Sequence, residues 1–384
     1  MSTVLMRLDQ VCSVTMGQAP PGDSYNNDGQ GLPLIAGAGD FSNGHPAAKK
    51  YTKEASKKSR PGDIILGIRA SIGEKVLSDG EYGLGRGVAG LRASSQLDDR
   101  FLWHWLTVAA PELSAKGRGA TFKQVNRRDI GELLIPIPPL EEQRKISEVL
   151  DRVDDLRTKR RRALVNLDKL ADSVFLDLFV QRSSRDWRTL SLGEVAEVVS
   201  GITKGRRTTQ SVRPVPYLAV LNVQDKHLQL STVKHIDATE EEIRRYRLRK
   251  DDLLLTEGGD PDKLGRGSLW NEELPEAIHQ NHIFRVRITS PDRVHPVYLN
   301  WLVSSQWGKN YFLRSAKQTT GIASINKSQL TRFPLVLPPP VAQEDFAIRI
   351  ASLHRLKAAN EKSLSDLDVL FASLLDRAFS ARFK

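Results

Sequence analysis

The chain has 384 residues, enough for two domains that each bury a core. Its single cysteine, Cys12, excludes a disulfide framework and a cysteine-rich zinc site and fits a reducing compartment. The formal net charge of +11 calls for a polyanionic partner, most simply nucleic acid, and no apolar run approaches the roughly 20 residues that a bilayer crossing needs.

The opening segment has no basic stretch leading into an apolar core, so no secretory signal is read and a cytoplasmic protein is expected. From there to about residue 138 the sequence reads as short strands and turns with few helices. Asp63-Ile64-Ile65-Leu66-Gly67-Ile68 and Val88-Ala89-Gly90-Leu91 are β-rich runs. Glycine clusters at 80–90 and 117–119 mark loops, and Phe101–Leu113 has helical spacing. Ile135–Pro139 ends the segment with prolines that cannot continue a helix but suit the position just before one. A long helix of about 40 residues, roughly 60 Å, is predicted from 140 to 180.

The second half repeats the first. Strands are predicted at Pro216–Val223, Asp252–Thr256 and His282–Ile288, a helix at Pro296–Trp307, a proline-rich strand end at Leu335–Pro340, and a second long helix to Ala378. Leu8-Asp9-Gln10-Val11 is answered by Leu192-Gly193-Glu194-Val195, Phe101-Leu102-Trp103 by Val297-Tyr298-Leu299, and Gly119–Asn126 by Thr319–Asn326. Pro138-Pro139-Leu140-Glu141-Glu142-Gln143 returns as Pro338-Pro339-Pro340-Val341-Ala342-Gln343. Matches that keep their order over an offset drifting from about 184 to 200 mean an internal duplication. The fold class is therefore α+β: two similar domains and two long helices with heptad-like spacing.

Helix packing is assigned to Ile146, Leu150, Val153, Leu164, Leu167 and Val174, and to their counterparts Phe346, Ile350, Leu353, Leu364, Leu367 and Leu374. Further matched pairs are Leu156 with Leu356 and Leu170 with Leu370. Both seams break at polar residues, Arg157 and Arg160 in one and Lys357 and Asn360 in the other. Either orientation of the pair aligns these breaks; the path of the chain favours antiparallel packing. Charge separates globular parts from helices. Residues 1–140 carry 17 Lys/Arg against 14 Asp/Glu and 181–340 carry 24 against 17, whereas 141–180 is 9 against 9 and 341–384 is 7 against 6.

Catalytic signatures are missing. The sequence has no Gly-x-x-x-x-Gly-Lys-Ser/Thr phosphate loop and no Asp/Asn-Pro-Pro-aromatic motif of amino-methyltransferases. Gly258-Gly259-Asp260-Pro261-Asp262-Lys263 reads as a turn, and His279-Gln280-Asn281-His282 as a strand entry and not a metal cage. No metal site is read.

Two α+β segments, each closed by a Pro-Pro-x-x-x-Gln helix, resemble the specificity subunit of type I restriction–modification systems over essentially the whole chain. The motifs that carry the resemblance are Leu134–Ile146 and the glycine-turn-asparagine segments 119–126 and 319–326. Val341-Ala342-Gln343-Glu344-Asp345 departs from the usual Glu-Gln-Arg/Lys. The resemblance implies target-recognition domains at 1–140 and 183–340, a central helix at 141–182 and a C-terminal helix at 341–384. It implies a non-catalytic chain that reads a bipartite, asymmetric site in double-stranded DNA, with helices that space the domains and dock two methyltransferase subunits. Motor-endonuclease subunits complete the assembly. No cofactor is expected on this chain; S-adenosylmethionine, ATP and Mg belong to the partners. No membrane partner is expected. The specificity subunit of a related enzyme that cuts both sides of its site, and a scaffold that reads no sequence, remain alternatives.

Candidate DNA contacts follow from side-chain chemistry, since Asn and Gln can pair adenine and Arg can pair guanine. In the first domain they are Lys116, Arg118, Thr121, Lys123 and Asn126, with Arg69, Lys75 and Arg86 on a second loop. In the second they are Lys317, Gln318, Thr319, Thr320, Ser324, Asn326 and Lys327, with Lys263 and Arg266. Lys204, Arg206 and Arg207 are read as phosphate contacts, which position without specifying.

Overall fold

The computed structural model describes residues 4–42, 44–119, 123–181, 187–260, 263–319 and 322–379. It is α+β and forms two compact units, Met1–Ala163 with Asn360–Lys384, and Leu164–Ala359. The first unit is built on a four-stranded antiparallel sheet in the order Cys12–Met16, Val88–Ala93, Ile64–Gly67, Lys75–Leu77. The second has the same order with Ala196–Ser200, Ile283–Ile288, Leu253–Thr256, Gly267–Leu269. The repeat holds to the register: Val88 faces Gly67 where Ile283 faces Thr256. A two-stranded ribbon closes each unit, Val4–Arg7 with Leu134–Ile137 and Arg188–Ser191 with Pro334–Leu337. Among the described residues no helix is long and apolar enough to cross a membrane.

The inner strands are apolar on both faces, with every residue of Ile64–Gly67 and Leu253–Thr256 buried, because a helix covers one face and loops the other. In the first unit that helix is Asp99–Ala115, started by Asp98, whose carboxylate accepts from the Arg100 and Phe101 amides. It buries Phe101, Leu102, Trp105 and Leu106 on the sheet. The helix expected over 296–307 stops at Ser304. Ser305 takes an extended conformation and its hydroxyl caps a second helix, Gln306–Ser315.

Two polar locks recur in both units. Asp63, 5% exposed, takes a bidentate ion pair from Arg92 (2.6 and 2.7 Å) and the Arg60 amide (2.8 Å). Asp252, 1% exposed, takes Arg287 (2.7 and 2.7 Å) and the Arg249 amide (2.7 Å). Deeper still, the Gln143 side-chain nitrogen donates to the carbonyls of Gln96 (3.0 Å) and Pro138 (2.8 Å), and its oxygen accepts from the Asp98 amide (2.8 Å). Gln343 does the same with Arg293 (3.0 Å), Pro338 (2.9 Å) and the His295 amide (2.8 Å). The glutamine of the Pro-Pro motif thus welds the start of a long helix to the start of the sheet-covering helix.

The first long helix, Leu140–Leu176, passes into a π-helical turn at Asp177–Gln181, and the second runs Pro340–Phe379. Within each unit they pack antiparallel. In the first unit Arg157 meets Asp368 (2.6 Å) and Arg160 meets Asn360 (3.0 Å); in the second Lys357 meets Asp168 (2.7 Å) and Phe175 stacks edge-on to Phe346. The polar breaks of the two seams therefore meet at Arg160 and Asn360, while Arg157 and Lys357 are satisfied by aspartates.

Leu150, Val153, Phe346 and Ile350 are buried in the cores, and Ile146, Val174, Leu353, Leu367 and Leu374 pack half-buried against them. Leu164, Leu167 and Leu364 are half-buried near mid-helix. The matched leucines Leu156, Leu170, Leu356 and Leu370 lie off the seams, 41–53% exposed. Toward the helix ends the seam positions Ala171 and Phe371 are buried, and the stripe continues at Phe175 and Phe179 and at Leu375 and Phe379. A straight helix drifts out of a 3.5-residue repeat, so a buried stripe that begins with spacing three continues with spacing four. The first unit adds a charged contact: His104, buried, and Arg100 both bond Asp151 of the long helix.

Replacing Gln343 with Leu strands the His295 amide and two carbonyls in the interior. Each orphaned group costs about 1–3 kcal/mol, so thermal or urea unfolding of the variant is expected to reveal a loss of at least 2 kcal/mol. Gln143→Leu is expected to match it. A change under about 0.5 kcal/mol in both would refute the weld.

Candidate nucleic-acid interface

At the end of the central strand of the first unit, three segments run side by side. The Ile68 amide donates to the Gly87 carbonyl (3.0 Å) and the Val125 amide to the Ile68 carbonyl (3.1 Å). Arg118 and Gln124 exchange backbone bonds (3.0 and 2.9 Å). The turn at Gly85–Gly87 admits no side chain at either glycine, because a Cβ would lie 2.8 Å from Ala36 Cα or 2.3 Å from the Ala36 oxygen. This rim brings together Arg69, exposed Arg86, Arg118 and exposed Lys123. Arg69 Nε donates to Gln124 Oε1 (2.7 Å), a bond that holds the guanidinium in one orientation, its two terminal nitrogens being further donors.

The second unit builds the same rim. The Glu257 amide donates to the His282 carbonyl (2.9 Å) and the Ile325 amide to the Glu257 carbonyl (2.9 Å). Beyond Glu257 the strand Gly258–Gly259 pairs with Ile322–Ser324, which pairs with Lys317–Thr319. The backbone of Lys317, Gln318 and Thr319 therefore lies on this rim, beside Ser324, Asn326 and exposed Lys327. Thr121 and Thr320 lie outside the described residues.

Several candidates have other occupations. Asn126 and Asn326 are helix N-caps: the Asn126 oxygen accepts from the Arg128 and Asp129 amides, and that of Asn326 from the Gln329 amide. Their carbonyl oxygens accept from the helix backbone, so part of each side chain has a structural role. Lys75 turns onto the covering helix, donating to Thr107 Oγ1 (2.9 Å) and lying 4.7 Å over the Trp103 ring, and burial pushes it down to about 8. It does not join the rim. Lys116 pairs with Glu112 (2.9 Å), and Arg118 with buried Asp129 (3.1 Å) while staying 76% exposed.

Arg206, read as a phosphate contact, also has a partner within the chain. Its guanidinium grips Glu242 in a bidentate pair and donates to the Asp237 carbonyl (2.9 Å). The Arg206 bond and the Thr239 amide hold the Glu242 carboxyl down to about 2. Arg266 donates to Gln224 (2.9 Å), and Lys263 bonds Asp260. Lys204, 5.1 Å over the Tyr217 ring, and Arg207 are exposed.

Sequence reasoning missed three features. Gln124 orients Arg69 from 55 positions away. Glu257 and His282 hydrogen-bond at 2.6 Å on the second rim. Arg244, Arg245, Arg247, Arg249 and Lys250 form an exposed basic run, which its composition alone could have signalled.

Residues 3–166 match the family model of the type I restriction modification DNA specificity domain. The chain is similar to the putative type I restriction enzyme MjaX specificity subunit of Methanocaldococcus jannaschii, 34% identical over 157 residues that cover 41% of this chain and 37% of that relative's length. It is 24% identical over 360 residues to the type I restriction enzyme EcoKI specificity subunit of Escherichia coli, covering 86% and 76%. Among solved structures, the type I restriction–modification S subunit from M. genitalium superposes with a TM-score of 0.61 at 16% identity, covering 99% and 96%. A chain from a study of complex assembly and conformational transition in the type I system gives 0.60 at 20%, covering 100% and 98%. The last two share the fold.

Arg206 and Arg207 should therefore separate on mutation. Arg206→Ala is expected to cost about 2 kcal/mol of stability and to change DNA affinity less than twofold. The Glu242 pair, with its folded-state titration below the ordinary carboxylate value, contributes above about pH 4.5 and is lost as pH falls toward 2. Arg207→Ala is expected to leave the melting temperature unchanged and to reduce the salt slope of DNA binding by about 1. The reverse pattern would make Arg206 the phosphate contact and Arg207 the structural residue.

Proposed function

We propose that the chain is a type I restriction–modification specificity subunit, the non-catalytic component that selects the DNA sequence for such a complex, a reading supported by the match of residues 3–166 to the family's specificity domain. The recognition domains lie at 1–140 and 183–340, each reading one half of a bipartite, asymmetric site in double-stranded DNA. The observation that carries this reading is the duplicated rim. The same backbone scaffold is built twice and bears different polar side chains each time, Arg69 and Gln124 on one, Glu257 and His282 on the other. Two copies of one reader with different contact residues suit two different half-sites. The excess of Lys and Arg in the globular segments supplies the sequence-independent attraction to phosphate.

The partners are two methyltransferase subunits and motor-endonuclease subunits, which supply catalysis together with S-adenosylmethionine, ATP and Mg. The long helices supply docking surface: Val149, Leu156 and Leu170 on the first and Ile348, Leu356 and Val369 on the second are 41–69% exposed. Apolar side chains in such numbers on exposed helix faces suit a protein partner. The same helices fix the unread gap between the half-sites.

Mapping methylated positions in cells that carry the complex tests the reading. One heptad inserted within 160–170 of the first long helix, with one in the facing segment 355–365 of the second, adds about 10 Å. At 3.4 Å per base pair the gap is expected to lengthen by up to about three base pairs while both half-sites persist. A variant that methylates the original motif with its original gap would remove the helices as the ruler, and deletion of the gene without loss of any bipartite methylated motif would remove the function itself.

A further inference from the structure

We propose that Glu257 and His282 form the base-reading pair of the second unit, the Glu257 carboxylate accepting from the exocyclic amino group of a cytosine. The proposal rests on the reading of each unit as the reader of one half-site. Glu257 and His282 sit where the central strand ends, bonded Nδ1 to Oε2 at 2.6 Å, with side chains 33% and 56% exposed.

The internal duplication supplies a control on whether the fold needs this pair. The backbone bonds of Glu257 and His282 match those of Ile68 and Gly87: an amide at the strand end donates to the carbonyl of the opposite turn and the same residue's carbonyl accepts from Ile325 or Val125. In the first unit these two positions hold a buried isoleucine and a glycine, which exchange no side-chain bond. The polar groups that build the scaffold recur instead: the Gln143 and Gln343 welds, the Asp63–Arg92 and Asp252–Arg287 pairs, and the Asn126 and Asn326 caps. Glu257 and His282 thus belong to what differs between the two readers.

The chemistry then narrows the role. A carboxylate on a cation-rich face repels phosphate, and the donors a duplex offers it in the major groove are the exocyclic amino groups of its bases, with cytosine N4 the one that Glu reads by a direct bond. His282 holds the carboxylate in one orientation before DNA arrives, which lowers the ordering cost of binding.

The test is to co-express the full chain carrying Glu257→Gln or His282→Gln with its methyltransferase subunits in a host without other modification, and to map methylated positions by single-molecule sequencing. A glutamine amide reads adenine, so Glu257→Gln is expected to lower discrimination for cytosine at one position of one half-site by on the order of tenfold and to admit adenine there. His282→Gln is expected to relax the same position. If Glu257→Gln abolishes methylation, the His282→Gln motif decides: a change confined to one half-site supports the pair, and an unaltered motif overturns it. The proposal also fails if Glu257→Gln leaves the motif unaltered or alters both half-sites, or if both variants abolish methylation. Absence of any bipartite motif with the unsubstituted chain would instead remove the reading on which the proposal rests.

Discussion

The buried amides of Gln143 and Gln343 each satisfy three backbone groups where a proline-ended strand, a loop and a long helix converge. Prolines ahead of a helix stop the strand cleanly but cannot donate hydrogen bonds, so the junction would hold unpaired carbonyls in the interior. A side-chain amide with two donors and an acceptor meets that need in one residue. Sheet, covering helix and long helix are thereby fixed to one another at a single point, and the direction in which each long helix leaves its domain follows from it.

Around that junction the molecule separates what it keeps from what it varies. The strand order, the aspartate–arginine pairs and the asparagine caps recur in both halves. The rim side chains do not: Arg69 is oriented by Gln124 in one unit and Glu257 by His282 in the other. A scaffold that positions a rim through backbone hydrogen bonds, tight glycines and asparagine caps leaves side chains such as Arg69 and Glu257 free to change.

Much of this was legible in the sequence, and the exceptions have a physical cause. The duplication and the Pro-Pro-x-x-x-Gln starts could be read because proline punctuation and apolar spacing are local signals. The Asp63–Arg92 pair could not, since Val88–Ala93 and Ile283–Ile288 share little sequence and only strand register brings Arg92 and Arg287 to their aspartates. Arg206 read as a phosphate contact because its partner, Glu242, lies 36 positions away. Lys75 read as a DNA contact for the same reason, with Thr107 and Trp103 on a helix that follows it. Charge in a loop is visible from sequence; what neutralises it is tertiary.

The division of the long helices also sets an order of assembly. The second unit is drawn from one unbroken stretch, Leu164–Ala359. The core of the first includes Phe371, Leu375 and Phe379, packed with Phe101 and His104 of the N-terminal domain. Domains ordinarily fold in the order they leave the ribosome. Here the unit that is synthesised first is finished last, and until the final turns of the second long helix emerge, the face that Phe371, Leu375 and Phe379 will cover stays open on the nascent chain.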